Sequence, residues 1–138
     1  MRKVTLAEVE YIAFQLAKKL MDYNEPIPAF GTRFPHILES CVATPFQRYG
    51  GKEVYKGVFE KGAVLFYLMI KNHPFQNGNK RIAVTTLLAF LSKNKRWLKV
   101  DEQEFYNFAR WVAESNPKLR EETVSAIQKF IRTYMVRA

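Results

Sequence analysis

The residues best suited to chemistry in this chain lie in the loop HPFQNGNKR, residues 73–81, between two strongly apolar segments. Its histidine, His73, can accept or release a proton near neutral pH. Lys80 and Arg81 add two positive charges, and Gly78 allows the backbone to adopt a positive φ. A proton acceptor beside a cationic loop that contains glycine is typical of a site that binds an anion and moves a proton.

The positions of the flanking helices follow from the residues around the loop. Pro74 disfavours helical geometry at His73, so the helix that precedes the loop must end there. The segment IAVTTLLAFL (82–91) has the character of a helix from its first residue. Residues 77–79, Asn-Gly-Asn, are therefore expected to start the second helix.

A helix that starts at these residues predicts a phosphate site. A positive φ at Gly78 turns successive N–H groups inward, and such a nest at a helix N-terminus binds anions. Lys80 and Arg81 fall in the first turn, where the helix dipole disfavours cations. A bound polyanion removes that conflict. Lys71 belongs to the same basic cluster, and either contacts phosphate or is the exposed end of a helix.

The two histidines and Phe75 each have a structural interpretation beside a functional one or in place of it. His73 could satisfy carbonyl groups at a helix end, but the adjoining nest favours a general base. Phe75 is expected to pin the loop onto the core, and His36, at a helix start, is expected to be structural. With two distant histidines, one cysteine and no local carboxylate, the sequence excludes a zinc site.

The charge pattern places a positive field around this region. The chain has a formal net charge of +9, and residues 61–100 contain no Asp or Glu. The basic residues in 93–99 either complement a helix C-terminus or form a field that collects polyphosphate, nucleic acid or an acidic partner.

The overall composition predicts one globular domain over residues 1–138. The single cysteine, Cys41, favours a reducing compartment, and the N-terminus lacks the apolar core of a signal peptide. Neither apolar segment has the length of a membrane span. A cytoplasmic protein without a membrane partner is the expectation.

The hydrophobic periodicity predicts an all-α bundle in which two buried central helices, 54–72 and 79 to about 93, flank the loop. Gly50 and Gly51 in TPFQRYGGKE (44–53) predict a turn or mobile hairpin. Four outer helices are expected. The first is capped by Thr5 and Glu8, and its apolar face consists of Leu6, Val9, Ala13, Leu16, Ala17, Leu20 and Met21. The second covers 36–43 after the connector 24–35, and the third opens with the capping box Asp101 and Glu104. The last opens with Asn116 and Pro117 and has Leu119, Thr123, Ile127, Phe130, Ile131 and Tyr134 in register.

The loop resembles the motif of the Fic/Doc superfamily. The lysine in NKR, Lys80, makes the motif most similar to that of the death-on-curing (Doc) branch. LESCVATP (38–45) is similar to the helix before the family's flap, and VYKGVFEKGAVLFYLMIKN (54–72) to the helix that leads into the motif. The resemblance covers about residues 36–92 and implies an all-helical bundle that transfers part of ATP to a protein hydroxyl.

The resemblance also implies roles for single residues. His73 matches the base that deprotonates the target hydroxyl, Gly78 and Asn79 match the anion nest, and Arg81 matches a phosphate clamp. Lys80 replaces the glycine of the AMP-transferring branch, which implies γ-phosphate transfer, with elongation factor Tu as the known target class. The segment TPFQRYGGKE matches the flap that aligns the target peptide by strand-like pairing, with the target-binding residues Phe46, Gln47, Arg48 and Tyr49.

One position departs from the family pattern. The family usually has Asp or Glu at the position of Asn77, where a carboxylate binds Mg²⁺. An uncharged amide predicts a weaker metal site, so that either the nucleotide phosphates hold the metal or the enzyme is slow or altered. The sequence also lacks the self-inhibitory motif [ST]-x-x-x-E-[GN], which implies regulation by a separate antitoxin.

Three functions therefore stay open at this stage. The first is a Doc-like kinase toxin that uses ATP and Mg²⁺. The second is a nucleotidyltransferase on the same fold that transfers AMP. The third is a binding module without catalytic activity, in which SKNKRWLK (92–99) contacts nucleic acid.

Overall fold

The computed structural model, which describes residues 1–19 and 26–137, confirms the all-α class. The first helix consists of α1 (Leu6–Glu8), a π-helical segment (Val9–Ala13) and α2 (Phe14–Lys19) in succession. The other helices are α3 (Pro35–Ala43), α4 (Gly57–Lys71), α5 (Asn79–Lys93), α6 (Glu102–Glu114) and α7 (Arg120–Tyr134). The strands are β1 (Arg48–Tyr49), β2 (Lys52–Glu53), β3 (Arg96–Leu98) and β4 (Met135–Arg137), and short 3₁₀ turns cover Phe30–Thr32, Thr44–Phe46 and Pro117–Leu119.

Helices α4 and α5 form the centre of the bundle, as the sequence predicted. Residues 61–70 of α4 are all buried, as are residues 81–88 of α5. A Cβ added at Gly62 of α4 would lie 3.3 Å from Leu87 Cδ1 and 3.4 Å from Ile131 Cδ1. The missing side chain therefore lets α5 and α7 approach α4 closely from two directions.

The predicted helix starts are present. Thr5 Oγ1 accepts a hydrogen bond from the Glu8 N–H at 3.2 Å, and the Glu8 carboxylate accepts one from the Thr5 N–H at 3.0 Å. The Asp101 carboxylate accepts from the Glu104 N–H at 3.1 Å, and Asn116 caps the turn that precedes α7. These side chains satisfy N–H groups that have no acceptor within the helix.

Two predicted boundaries differ from the structure. Helix α4 begins at Gly57 and not at residue 54, because Gly57 has a φ of 74° and the Glu60 carboxylate caps the Lys56 N–H at 2.7 Å. Leu119 was expected on the core face of the last helix, but it lies in the turn before α7 and is 51% exposed.

The apolar face of the first helix is largely the predicted one. Of its predicted members within the described residues, Val9, Ala13 and Ala17 are buried, and Leu6 and Leu16 are partly buried. Phe14, which the pattern did not place on this face, is also buried, directly after the π-helical segment. Leu20 and Met21, which the pattern placed on this face, lie outside the described residues, as do residues 24–25 of the predicted connector.

The sequence did not predict the pairing of β3 with β4. These strands run antiparallel, with Trp97 opposite Val136 and Leu98 opposite Met135. Only Leu98 is buried, so the segments lack the alternation that would mark them as strands. Within the described ranges, no helix combines the length and the apolar character needed to cross a membrane.

Candidate functional site

The loop between α4 and α5 begins and ends with a left-handed residue. Helix α4 is capped at Asn72, and the chain then reverses at His73, which has a φ of 49°. Gly78 caps α5 with a φ of 72°, and its carbonyl accepts a hydrogen bond from the Ile82 N–H at 2.9 Å. The positive φ expected at Gly78 is therefore present. The histidine and the start of α5 face each other across a short, sharply turned segment.

The buried side chain of Asn79 holds this segment in shape. Its Oδ1 accepts a hydrogen bond from the Phe75 N–H at 3.0 Å, and its Nδ2 donates to the Phe75 carbonyl at 2.9 Å. These two bonds fix the orientation of the amide, whose nitrogen lies 3.5 Å from His73 Nδ1. That contact places the imidazole beside the first residue of α5.

Phe75 fastens the loop to the core. Its side chain is buried, and its ring centroid lies 5.7 Å from that of Phe14 and 6.1 Å from that of Phe30. On the other side of the loop, a Cβ added at Gly78 would lie 2.7 Å from Ile27 Cδ1 and 2.9 Å from the Pro26 carbonyl oxygen. The loop is therefore packed on both sides, which suits a site that must keep its geometry.

A cavity of about 180 Å³ opens at this loop. Pockets for whole small molecules span roughly 300–1,000 Å³, so the cavity suits part of a ligand, such as its phosphate groups. Five of the residues predicted for the site share the cavity with neighbours from α4, the loop and α6. The lining residues are Ile70, His73, Gln76, Asn77, Gly78, Asn79, Lys80 and Ala113.

Lys71 does not take the predicted place at the phosphate site. Its Nζ donates to the Ala113 carbonyl at 3.2 Å and to the Ser115 carbonyl at 2.6 Å. A lysine at these positions caps the C-terminus of α6, where the helix dipole favours a cation. Instead of contacting phosphate, the Lys71 side chain therefore connects the C-terminal ends of α4 and α6 by hydrogen bonds.

Arg81 is buried in α5 and contacts the N-terminal helix. Its side chain is only 4% exposed, and its Nη2 donates a hydrogen bond to the Ala17 carbonyl of α2. Among the described residues that line the cavity, Arg81 does not occur. The predicted phosphate clamp is, in this structure, an interaction between α5 and the N-terminal helix.

The donor set of the cavity fits phosphate better than a metal held by the protein. Asn77 is exposed, and its Oδ1 accepts a hydrogen bond from the Gly78 N–H at 2.8 Å. Throughout residues 1–19 and 26–137, no group of three or more His, Cys, Asp or Glu is placed to hold a metal ion. The amide oxygen of Asn77 is a neutral ligand, whereas Lys80 and the N-terminal end of α5 favour anions.

The predicted hairpin is formed by β1 and β2, which we call the flap together with the turn between them (residues 48–53). Arg48 pairs with Glu53 and Tyr49 with Lys52, and the two turn glycines have φ values of 59° and 75°. Tyr49 is 84% exposed at the tip. An exposed two-stranded edge of this kind can pair with an extended peptide.

Phe46, which was expected to bind the target, lies before the flap and is partly buried. Its ring packs edge-on against Phe90 of α5, with centroids 6.0 Å apart, and lies 5.3 Å from Lys61 Nζ. Gln47 is exposed, and its carbonyl accepts a hydrogen bond from the Val54 N–H at 3.0 Å. Of the four predicted target-binding residues, Phe46 therefore anchors the flap, while Gln47, Arg48 and Tyr49 are accessible.

Lys61 is a residue whose place the sequence did not predict. Lys61 is the first residue of the basic region 61–100, where a solvent-exposed cation is the expectation, but its side chain is buried in α4. The signal available in the sequence was its position directly before the apolar run GAVLFYLMI (62–70).

Comparison with known proteins agrees with this geometry. A model described as the Fic/DOC family matches residues 3–91, which is more than half of the chain and includes the whole loop. No curated protein and no solved structure gave a significant match. A loop of the Fic/Doc type between two central helices, together with this match, shows that the chain belongs to the Fic/DOC family.

Proposed function

We propose that this protein is a Doc-like kinase, which transfers the γ-phosphate of ATP to a hydroxyl group of a target protein. The observation that carries the proposal is that Lys80 lines the same cavity as His73. Lys80 is the residue by which the motif is similar to that of the Doc branch. The family supports a protein-modifying transferase in general, and the lysine supports the kinase within it.

The chemistry requires one proton acceptor and a set of phosphate-binding groups. The imidazole of His73 accepts the proton of a Ser, Thr or Tyr hydroxyl as the oxygen attacks the γ-phosphorus. The bond between that phosphorus and the bridging oxygen breaks, and ADP leaves. The Lys80 ammonium and the N-terminal end of α5 bind the phosphate charge.

The proposed setting is that of a toxin controlled by a separate antitoxin in the cytoplasm. Elongation factor Tu is the first target to test, because it is the target class that the resemblance implies. Mg²⁺ is expected to arrive with ATP, held chiefly by its phosphates, since Asn77 offers only a neutral oxygen.

The test uses purified protein with elongation factor Tu, Mg²⁺ and ATP labelled at either the α or the γ position. We expect label on the target from the γ position alone, and we expect its loss in His73→Ala. His36→Ala is the matched control, because His36 is fully exposed and pairs only loosely with Glu39, at 3.8 Å. Label from the α position would instead establish an AMP transferase and overturn the kinase assignment.

The absence of label from either position would have two explanations that a second assay separates. In cell lysate, a labelled band would identify another target, whereas label that occurs only with Asn77→Asp would identify a disabled metal site. Nucleic-acid binding that falls steeply with salt and is unaffected by ATP would favour the binding module.

A further inference from the structure

Lys61 is an unusual residue for the interior of this protein. Its side chain is 1% exposed and belongs to α4, where the nine residues that follow it are also buried. A lysine ammonium is costly to bury unless other groups pair with it and accept its hydrogen bonds. The partners that stabilise Lys61 therefore indicate what its position achieves.

All three partners of Lys61 belong to the flap or to the residues at its two ends. Lys61 Nζ donates to the Tyr55 carbonyl and lies 3.1 Å from the Glu53 carboxylate. It also lies 5.3 Å from the centroid of the Phe46 ring. Phe46 precedes the flap, Glu53 ends its second strand, and Tyr55 follows it. One ammonium thus holds both ends of the hairpin.

The helix that carries Lys61 also leads directly to His73. Helix α4 runs from Gly57 to Lys71 and is buried along residues 61–70, so its two ends are rigidly connected. The flap beyond its anchored ends is exposed and makes a ladder of only two residue pairs. Its orientation relative to the loop therefore depends on how its ends are held.

We propose that Lys61 is a positioning residue, which sets the flap so that a peptide paired with it presents its hydroxyl to His73. The Glu53 carboxylate is its partner in this role. The proposal rests on the proposed function, because it assigns the flap to the protein substrate. It makes the Lys61–Glu53 pair a determinant of target binding and not of nucleotide binding.

The first experiment measures hydrogen exchange of the Val54 amide in Lys61→Met and Glu53→Gln. The Val54 N–H donates to the Gln47 carbonyl and so reports directly on the base of the hairpin. Lys61→Met should still fold, because an apolar side chain of similar volume suits the site and the Glu53 carboxylate, 42% exposed, remains hydrated. We expect exchange to be roughly fivefold faster in each variant.

The matched control is Glu114→Gln. It removes an exposed ion pair, Glu114 with Arg110 at 3.9 Å, that lies outside the flap. This variant should leave the exchange rate of Val54 unchanged. Equal exchange rates for Val54 in wild type, Lys61→Met and Glu53→Gln would overturn the proposal whatever the activity of the protein.

Kinetics then separate positioning from general damage. Both variants should raise KM for the target protein by roughly fivefold and leave KM for ATP unchanged, and the double variant should be no worse than either single one. An equal rise in both KM values, or additive effects, would overturn the positioning role. If the wild-type protein labels no target, the proposed function fails, while the exchange rates still decide whether Lys61 holds the flap.

Discussion

The side chains of the loop fall into two groups according to what they contact. Asn79 and Phe75 shape the loop, one through two hydrogen bonds to the backbone and the other through aromatic contacts. His73, Asn77 and Lys80 line the cavity, and Asn79 lines it as well. The sequence predicted His73, Asn77 and Lys80 as site residues from their types and spacing, and their roles in proton transfer and in phosphate or metal binding stay predictions. The sequence assigned Asn79 only to the anion nest. Its two hydrogen bonds to the Phe75 backbone were not predicted, because they depend on how the loop turns.

Asn77→Asp is expected to raise Mg²⁺-dependent turnover by about tenfold, because a carboxylate binds the ion more strongly than a neutral amide. The measurement is the phosphorylation rate as a function of Mg²⁺ concentration. Gln76→Glu is the matched control, since Gln76 also lines the cavity and the change adds a similar charge. Turnover of Asn77→Asp at or below the wild-type rate would mean that the amide suits another chemistry.

Gly78→Ala should lower the free energy of unfolding by about 2–4 kcal/mol and abolish activity. The new Cβ would meet the Pro26 carbonyl and Ile27 at a φ of 72°, so it adds backbone strain to a steric clash. Gly31→Ala is the control, because nothing lies within 4 Å of its Cβ position. Chemical denaturation of both variants provides the measurement, and equal stabilities would contradict the expectation.

Cys41 should resist alkylation in the folded protein. Its side chain is buried, and burial raises the pKa of the thiol to about 12, so the reactive thiolate is scarce near neutral pH. Mass spectrometry after iodoacetamide treatment should show labelling only when denaturant unfolds the chain. Rapid labelling without denaturant would place the thiol at the surface.

Among the secondary-structure elements, those with strong local signals were predicted and those that depend on distant partners were not. The Thr5 and Asp101 caps and the two central helices follow from short motifs and from runs of apolar residues. The β3–β4 pair joins segments about forty residues apart, and the interaction of Arg81 with Ala17 joins residues 64 positions apart. Nothing in the local pattern around either one indicates its partner.

The flap should lose its attachment in acid. Hydrogen bonding from Lys61 lowers the pKa of Glu53 from 4.5, and Arg48 contributes to the same direction. A lowered pKa in the folded state means that the stabilisation is present above the ordinary value and is lost as pH falls through the lowered one. The ratio of Val54 exchange rates in Glu53→Gln and wild type should therefore approach one below pH 4.5. A ratio that stays constant from neutral pH into that range would show that the charge of Glu53 does not hold the flap.

In the whole molecule, the burial of the segment that the family model matches, residues 3–91, depends on the helices that follow it. The match ends at residue 91, but α6 and α7 follow and cover the central helices. Ile127 and Ile131 of α7 are fully buried, and Ile131 packs against Gly62 of α4. The buried face of α4 would be exposed to water without them, which predicts that the site does not form on the matched segment alone.

A fragment of residues 1–91 is therefore expected to lack a cooperative thermal transition and to aggregate. Circular dichroism and light scattering on the fragment and on the chain of residues 1–138 provide the comparison. We expect this aggregation because residues 61–70, which are buried in the chain of residues 1–138, would be exposed to water in the fragment. A fragment that melts like the longer chain would show that α6 and α7 are dispensable for the fold.

The flap is fixed at its two ends and exposed at its tip. Selection for a stable fold therefore acts on the residues that hold its ends, and selection for target binding acts on the residues at its tip. Phe46 and Lys61 contact the core, so substitutions there alter the fold, whereas Tyr49 and its neighbours at the tip contact little else. Mutations of the exposed side chains on either side of the two turn glycines can therefore accumulate with little loss of stability. We expect descendants of this gene to diversify first at Arg48, Tyr49 and Lys52, while the turn glycines keep their positive φ. A protein engineer could exchange those three side chains to redirect the enzyme while its catalytic loop stays unchanged.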